Sequence, residues 1–267
     1  MGLLDSVGTQ AVTLLVLILF AFLPPILFLI WTRNTERYGR EPWPVVAKVF
    51  VWGAVFAVII AVVLSMAFIT LYRFAAPVYA VLGDQPTVET LVLALVIAPF
   101  VEEAAKAFGI YGASHSINEV EDGLVYGAAS GFGFSATENL VYGLAVLIAM
   151  GPGVSITLIV LRSVSSTLLH ASATSVTGLG IGKRLAAGGK SRVAPYYLVA
   201  VAIHSLFNFF ASIGGLYVTQ LGETAAYIGF ASAWVFAILA FSVIRSRILK
   251  GEDASMSRLR RPPHPQG

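Results

Sequence analysis

The chain has 267 residues, of which 57% are hydrophobic and 12% charged, and its mean hydropathy is +0.83. A soluble domain carries about 25% charged residues, so a water-facing exterior is excluded and a lipid-facing one implied. The absence of cysteine excludes disulfides, thiolate metal sites and cysteine nucleophiles, and the formal charge of +3 lies in short basic segments beside apolar runs, which suits an anionic membrane face and not nucleic acid.

A bilayer core takes about 20 mostly apolar residues per helix. Seven such segments are predicted, over residues 10–31, 43–72, 88–112, 123–149, 154–182, 193–217 and 225–249. The first contains Pro24 and Pro25, which predict a kink. It lacks the basic n-region and small-residue cleavage site of a signal peptide, so it reads as a retained span. The second is long for one crossing and predicts tilt or an interfacial end. The stretch 73–87, with Pro77, Gly83, Asp84 and Pro86, reads as a loop or re-entrant turn.

Charge orients the bundle. Arg33, Arg37, Arg40 and Lys48 follow the first span, Lys183, Arg184, Lys190 and Arg192 the fifth, and Arg245, Arg247, Lys250, Arg258, Arg260 and Arg261 the last. In a seven-span arrangement all of these share one side, and the other side holds Arg73. The positive-inside rule then puts the N-terminus outside and the C-terminus in the cytoplasm. The expected fold is an all-α, polytopic transmembrane bundle. Residues 1–249 form one membrane domain and 250–267 a disordered basic cytoplasmic tail. No internal repeat is strong enough to argue for an inverted-repeat transporter.

Charged groups at span centres cost about 2.5–3.5 kcal/mol each on insertion scales. Glu102, Glu103 and Lys106 in the third span, Glu138 in the fourth and Arg162 in the fifth are such groups, joined by His170 in the fifth and His204 in the sixth. At 1.5 Å per residue, Glu102 and Glu103 lie about 15 Å from the cytoplasmic ends, His170 and His204 about 16–18 Å, and Glu138 about 24 Å. Four helices thus bring acids or imidazoles to one layer. Spacing adds detail. Lys106 is one turn from both glutamates. Phe134, Glu138 and Tyr142 share a face, as do Arg162, Ser166, His170 and Thr174, and as do His204 and Asn208. The run Ala128, Ala129, Ser130, Gly131 and Gly133 is small enough for close helix approach. Some of these residues also have structural readings: Lys106 as a neutralising partner, Arg162 as a tether or counter-ion, Asn208 as an interhelical hydrogen-bonding residue. His115 and His264 read as surface residues.

Ser205 is next to His204 on one helix and points elsewhere, so no serine triad is formed. Asp5, Asp84, Asp122 and Asp253 lie in loops, termini or span ends, so no aspartyl dyad is formed. Glutamate with histidine remains, a pairing suited to water activation. A desolvated glutamate takes a proton from water, and histidines hold a metal or donate to an oxyanion. No HExxH motif occurs, so a zinc site would have to be assembled across helices. On residue types alone, a proton- or ion-coupled transporter is the alternative, and a non-enzymatic membrane scaffold a second one.

The ordered set EEAAK (102–106), DGLVYG (122–127), FSATEN (134–139), Arg162 with His170, and HSLFN (204–208) resembles the PrsW family. These are bacterial and archaeal intramembrane proteases related to the CAAX protease and bacteriocin-processing superfamily. The motifs span residues 102–208, about 40% of the chain. The resemblance implies a multi-pass protein of the cytoplasmic membrane that hydrolyses peptide bonds of a membrane-anchored protein or peptide, an anti-sigma factor being one such substrate. It implies Glu102, Glu103 and Asn208 as catalytic residues. Glu138, His170 and His204 then hold zinc, with Glu103 as general base. A metal-independent variant has Glu103 and a histidine activating water while His204 and Asn208 stabilise the oxyanion. The wider superfamily often has histidine where this chain has Glu138, which leaves the metal shell open.

Overall fold

The computed structural model describes residues 3–36, 39–76, 86–186 and 189–259. Its elements are α1 (Leu3–Arg33), α2 (Trp43–Val51), a π turn (Trp52–Ala57), α3 (Val58–Ala75), α4 (Pro86–Val92), a second π turn (Leu93–Ile97), α5 (Ala98–Tyr111), α6 (Asp122–Met150), α7 (Pro152–Ala186), α8 (Ala194–Leu216), α9 (Val218–Leu221) and α10 (Thr224–Leu259). No strand occurs among the described residues, and the all-α polytopic bundle is as expected.

Six helical runs among the described residues are long and apolar enough to cross a membrane: 10–33, 43–75, 122–150, 152–186, 194–216 and 224–251. Each coincides with an expected span. The remaining expected span, 88–112, is an unbroken helical run from 86 to 111, about 39 Å long. It differs from the others in carrying Glu89, Glu102, Glu103 and Lys106. Pro24 and Pro25 lie inside α1, which continues through them. The loop expected over 73–87 falls mostly on 77–85, outside the described residues. The helix α10 runs to Leu259, past residue 250 where a disordered tail is expected; 260–267 lie outside the described residues.

The small-residue run of α6 explains the architecture. A Cβ at Gly131 would collide with the His170 carbonyl of α7, and one at Gly133 with the Phe50 carbonyl of α2. Glycine there lets two backbones touch α6 on different sides. The result makes α7 the central helix: 56% of its most apolar window is buried, against 11% for the run 43–75. The outer half of α3 is therefore peripheral, with Val62, Val63, Met66 and Leu71 facing outward, as lipid contact requires.

The two π turns flank the site. A π turn widens the backbone ladder and frees carbonyls, and side chains of neighbouring helices take them. Thr137 donates to the Ala54 carbonyl at 2.6 Å, Asn208 to Ala94 at 2.8 Å and Ser205 to Leu95 at 2.7 Å. In α5 itself, the Ala105 carbonyl accepts from the Trp52 indole and the Lys106 carbonyl from Ser130. The acidic helix is thus fixed on two sides by groups that lipid could not supply.

Candidate active site

Between α5, α6, α7 and α8 the structure gathers all three expected glutamates, Lys106, Arg162 and both buried histidines. Lys106, with no exposed surface, lies at the centre. Its Nζ donates to Glu103 Oε1 at 2.8 Å and to Glu102 Oε2 at 3.4 Å, contacts His170 Nδ1 at 2.8 Å, and stands 4.1 Å from the centre of the Phe134 ring. An ammonium only donates, so His170 Nδ1 is the acceptor and its Nε2 carries the proton, which points at Glu138 Oε2, 2.9 Å away. That glutamate oxygen also accepts from Arg162 Nη2 at 2.7 Å and from Ser166 at 3.3 Å. The neutralising reading of Lys106 and the counter-ion reading of Arg162 both describe real contacts.

The adjacent glutamates have different environments. Glu103 is completely buried and saturated: Oε1 takes Lys106 and His204 Nδ1 (3.0 Å), and Oε2 takes Thr174 (2.9 Å). Glu102 is partly exposed and looser, its nearest partners being Lys106 at 3.4 Å and His204 Nε2 at 3.8 Å. Glu102, Glu138, Arg162, His170 and Asn208 line a cavity of about 590 Å³, and the buried Glu103 and His204 do not. The cavity extends along Ala61 and Ser65 of α3, Ala94 of the second π turn and Ala211 of α8, toward the bundle end that holds Ala75 and Leu216. Phe134, Glu138 and Tyr142 line it together, as their shared face predicts. Asn208 is there too, but its amide is given to the Ala94 carbonyl, the interhelical role.

One donor atom each from Glu102, His170 and His204 lies within 4.8 Å of the other two. Glu138, expected in that shell, bonds His170 and Arg162, with Ser166 beside it. The three-donor set fits a zinc-class ion on three counts. The imidazole and carboxylate types are right. His204 donates Nδ1–H to a buried carboxylate, which fixes its ring and leaves the Nε2 lone pair free. Finally, three carboxylates against Lys106 and Arg162 leave a formal charge of −1. A divalent ion held by these three residues would offset that charge, with His170 Nε2 then deprotonated.

Sequence reading did not find the anchoring role of Thr174, although its place four residues from His170 was the available signal. It also passed over a second buried acid cluster, Glu36, Glu41 and Asp122, at the other end of α6. There Tyr126 donates a hydrogen bond to Glu41, and Asp122 accepts from the Asn118 and Glu119 amides at 2.7 and 2.8 Å. Burial pushes the Glu41 carboxyl up to about 8, with the Asp122 charge adding to the rise and the Tyr126 hydroxyl opposing it.

Comparison with known proteins adds an independent line. A family model described as PrsW family intramembrane metalloprotease matches residues 41–242. A protein named Protease PrsW from Clostridioides difficile (strain 630) is 28% identical over 206 residues, covering 74% of this chain and 79% of that one. No solved structure gives a significant match.

Proposed function

The chain belongs to the PrsW family of intramembrane metalloproteases and is an intramembrane peptidase, and from that premise we propose that it hydrolyses its protein substrate with water activated at Glu102, His170, His204 and Glu138. The observation that carries this reading is the convergence of the first three beside a cavity inside the bundle whose wall includes Glu102 and His170. The family match speaks against a transporter.

Glu102, His170 and His204 would hold a zinc-class ion. Such an ion supplies Lewis-acid polarisation of the scissile carbonyl and makes water a better nucleophile. Glu138, the cavity carboxylate outside that set, takes the proton from water as its oxygen bonds to the carbonyl carbon. It returns that proton to the leaving amine as the C–N bond breaks. Glu103, fully buried and off the cavity wall, orients His204 and holds Lys106 in place. Asn208 keeps the second π turn against α8. The run 86–111 is the seventh span, the basic ends face the cytoplasm, and the cavity opens on the outer face of the cytoplasmic membrane. A membrane-anchored protein presents its chain there, an anti-sigma factor being one candidate.

The test uses purified protein in detergent micelles with fluorescein-labelled β-casein, an unfolded protein, as probe. Phenanthroline should abolish cleavage and zinc restore it, with one ion per chain in the wild type and none in His204→Ala. Cleavage that persists at full rate in a metal-free preparation would overturn the ion-holding assignment.

A further inference from the structure

The cavity holds a cation whose bonding is unfinished. Arg162 Nε donates to Asn139 Oδ1 at 3.1 Å, and Nη2 donates to Glu138 Oε2 at 2.7 Å and to Ser166 at 3.2 Å. Its guanidinium carbon stands 4.0 Å from the centre of the Tyr142 ring. No described residue accepts from Nη1. Arg162 is 19% exposed and lines the cavity, where it is the one guanidinium or ammonium group.

The group is held more firmly than a tether needs. Asn139, fully buried, is itself fixed through Nδ2 by the Ser135 and Thr167 hydroxyls at 3.1 and 3.4 Å, and those two hydroxyls bond each other at 3.0 Å. One edge of a planar fork is thus locked by α6 and α7, one face is stacked on Tyr142, and the other edge faces the cavity. Neutralising Glu138 requires only one of the five N–H groups. Several other donors on the wall are spent within the protein: Asn208 on Ala94, Ser166 on Glu138, Ser212 on the Asn208 carbonyl. A peptide entering this largely apolar cavity brings backbone carbonyls that lose water and need donors.

Distance selects which carbonyl. Arg162 Nη2 and His170 Nε2 contact the same oxygen of Glu138, at 2.7 and 2.9 Å. The guanidinium is therefore closer to the reacting centre than two extended residues, about 7 Å. We propose that the Nη1 edge of Arg162 binds a substrate backbone carbonyl one residue from the scissile bond, on the side of the cavity mouth, and so sets where along the chain cleavage falls. This inference rests on the peptidase reading above. It makes Arg162 a substrate-binding residue as well as the partner of Glu138.

The experiment separates the two claims. In a Glu138→Gln background, which keeps the Arg162 contact through the amide oxygen, binding of fluorescein-labelled β-casein is measured by anisotropy with and without Arg162→Lys. Lysine keeps the positive charge but presents no second N–H edge. Affinity should fall at least fivefold with thermal stability retained, and in the otherwise wild-type enzyme Arg162→Lys should raise KM by a similar factor and shift the cleavage positions. An affinity change below fivefold, with unchanged cleavage positions, would overturn the proposal. Should the lysine variant not fold, Arg162→Gln is judged by the same threshold, and Tyr142→Leu, which removes the stacking surface, should weaken binding in the same direction. Near-wild-type cleavage by Glu138→Gln itself would instead overturn the proton-transfer reading, leaving the binding result to stand or fall separately.

Discussion

Two acid clusters lie at different heights along α6, and they solve the same problem in different ways. Near Glu138, three carboxylates are met by Lys106, Arg162 and two histidines. Near Asp122, Glu36 and Glu41 are buried with hydroxyl and amide donors, and Arg33 gives its Nε to the Glu41 backbone carbonyl. A buried carboxylate is compensated either by cations or by a proton. The first cluster uses cations and stays charged, which is the state that can hold an ion and accept a proton. The second keeps Glu41 protonated into the neutral range, which suits a structural joint between the 33–43 connection and the start of α6.

The largest expected effect breaks the first cluster as a catalyst. Glu138→Gln should lower kcat on labelled casein by about 10²–10⁴-fold while keeping the ion, as metal analysis of the purified variant would read. Next, Lys106→Met leaves the fully buried Glu103 and the partly exposed Glu102 without their cation. It should cost about 3–5 kcal/mol, seen as a fall in melting temperature on the order of 10 °C.

The second cluster gives smaller effects. The folded Glu41 carboxyl, at about 8, lies above its unfolded value of 4.5. Between these values the unfolded chain has lost the proton and the folded one has kept it, so stability falls as pH rises from about 4.5 to about 8. Glu41→Gln should remove that slope, melting at least about 3 °C above wild type at pH 8 with casein cleavage unchanged. Asp122→Asn, which retains one acceptor for the Asn118 and Glu119 amides, should cost about 1 kcal/mol, measured as a small drop in melting temperature.

The contrast also explains what was readable from the sequence. Helix positions were legible because lipid demands long apolar runs, and the mid-membrane charges were legible because they violate that demand. Glu102, Glu138, His170 and His204 stood out for this reason, and spacing correctly placed Arg162, Ser166 and His170 on one face. The division of labour between Glu102 and Glu103 was not legible. Adjacent residues on a helix differ by about 100° of rotation, and which one meets the cavity depends on how α5 is held by Trp52, Ser130 and Asn208. The π turns that fix it carry no periodicity signal. The Glu41–Tyr126 pairing joins residues far apart in sequence, near span ends where acids are unremarkable, so no local pattern marks it.

The most direct measurement is the casein cleavage rate of Glu102→Gln in proteoliposomes, read beside its melting temperature. The expected result is a loss of about 10³-fold or more with the melting temperature within about 2 °C of wild type, since the residue's protein contacts are long and the cavity takes up the change. A folded Glu102→Gln protein that cleaves within about tenfold of wild type would contradict the claim that this carboxylate, with His170 and His204, is where water is activated.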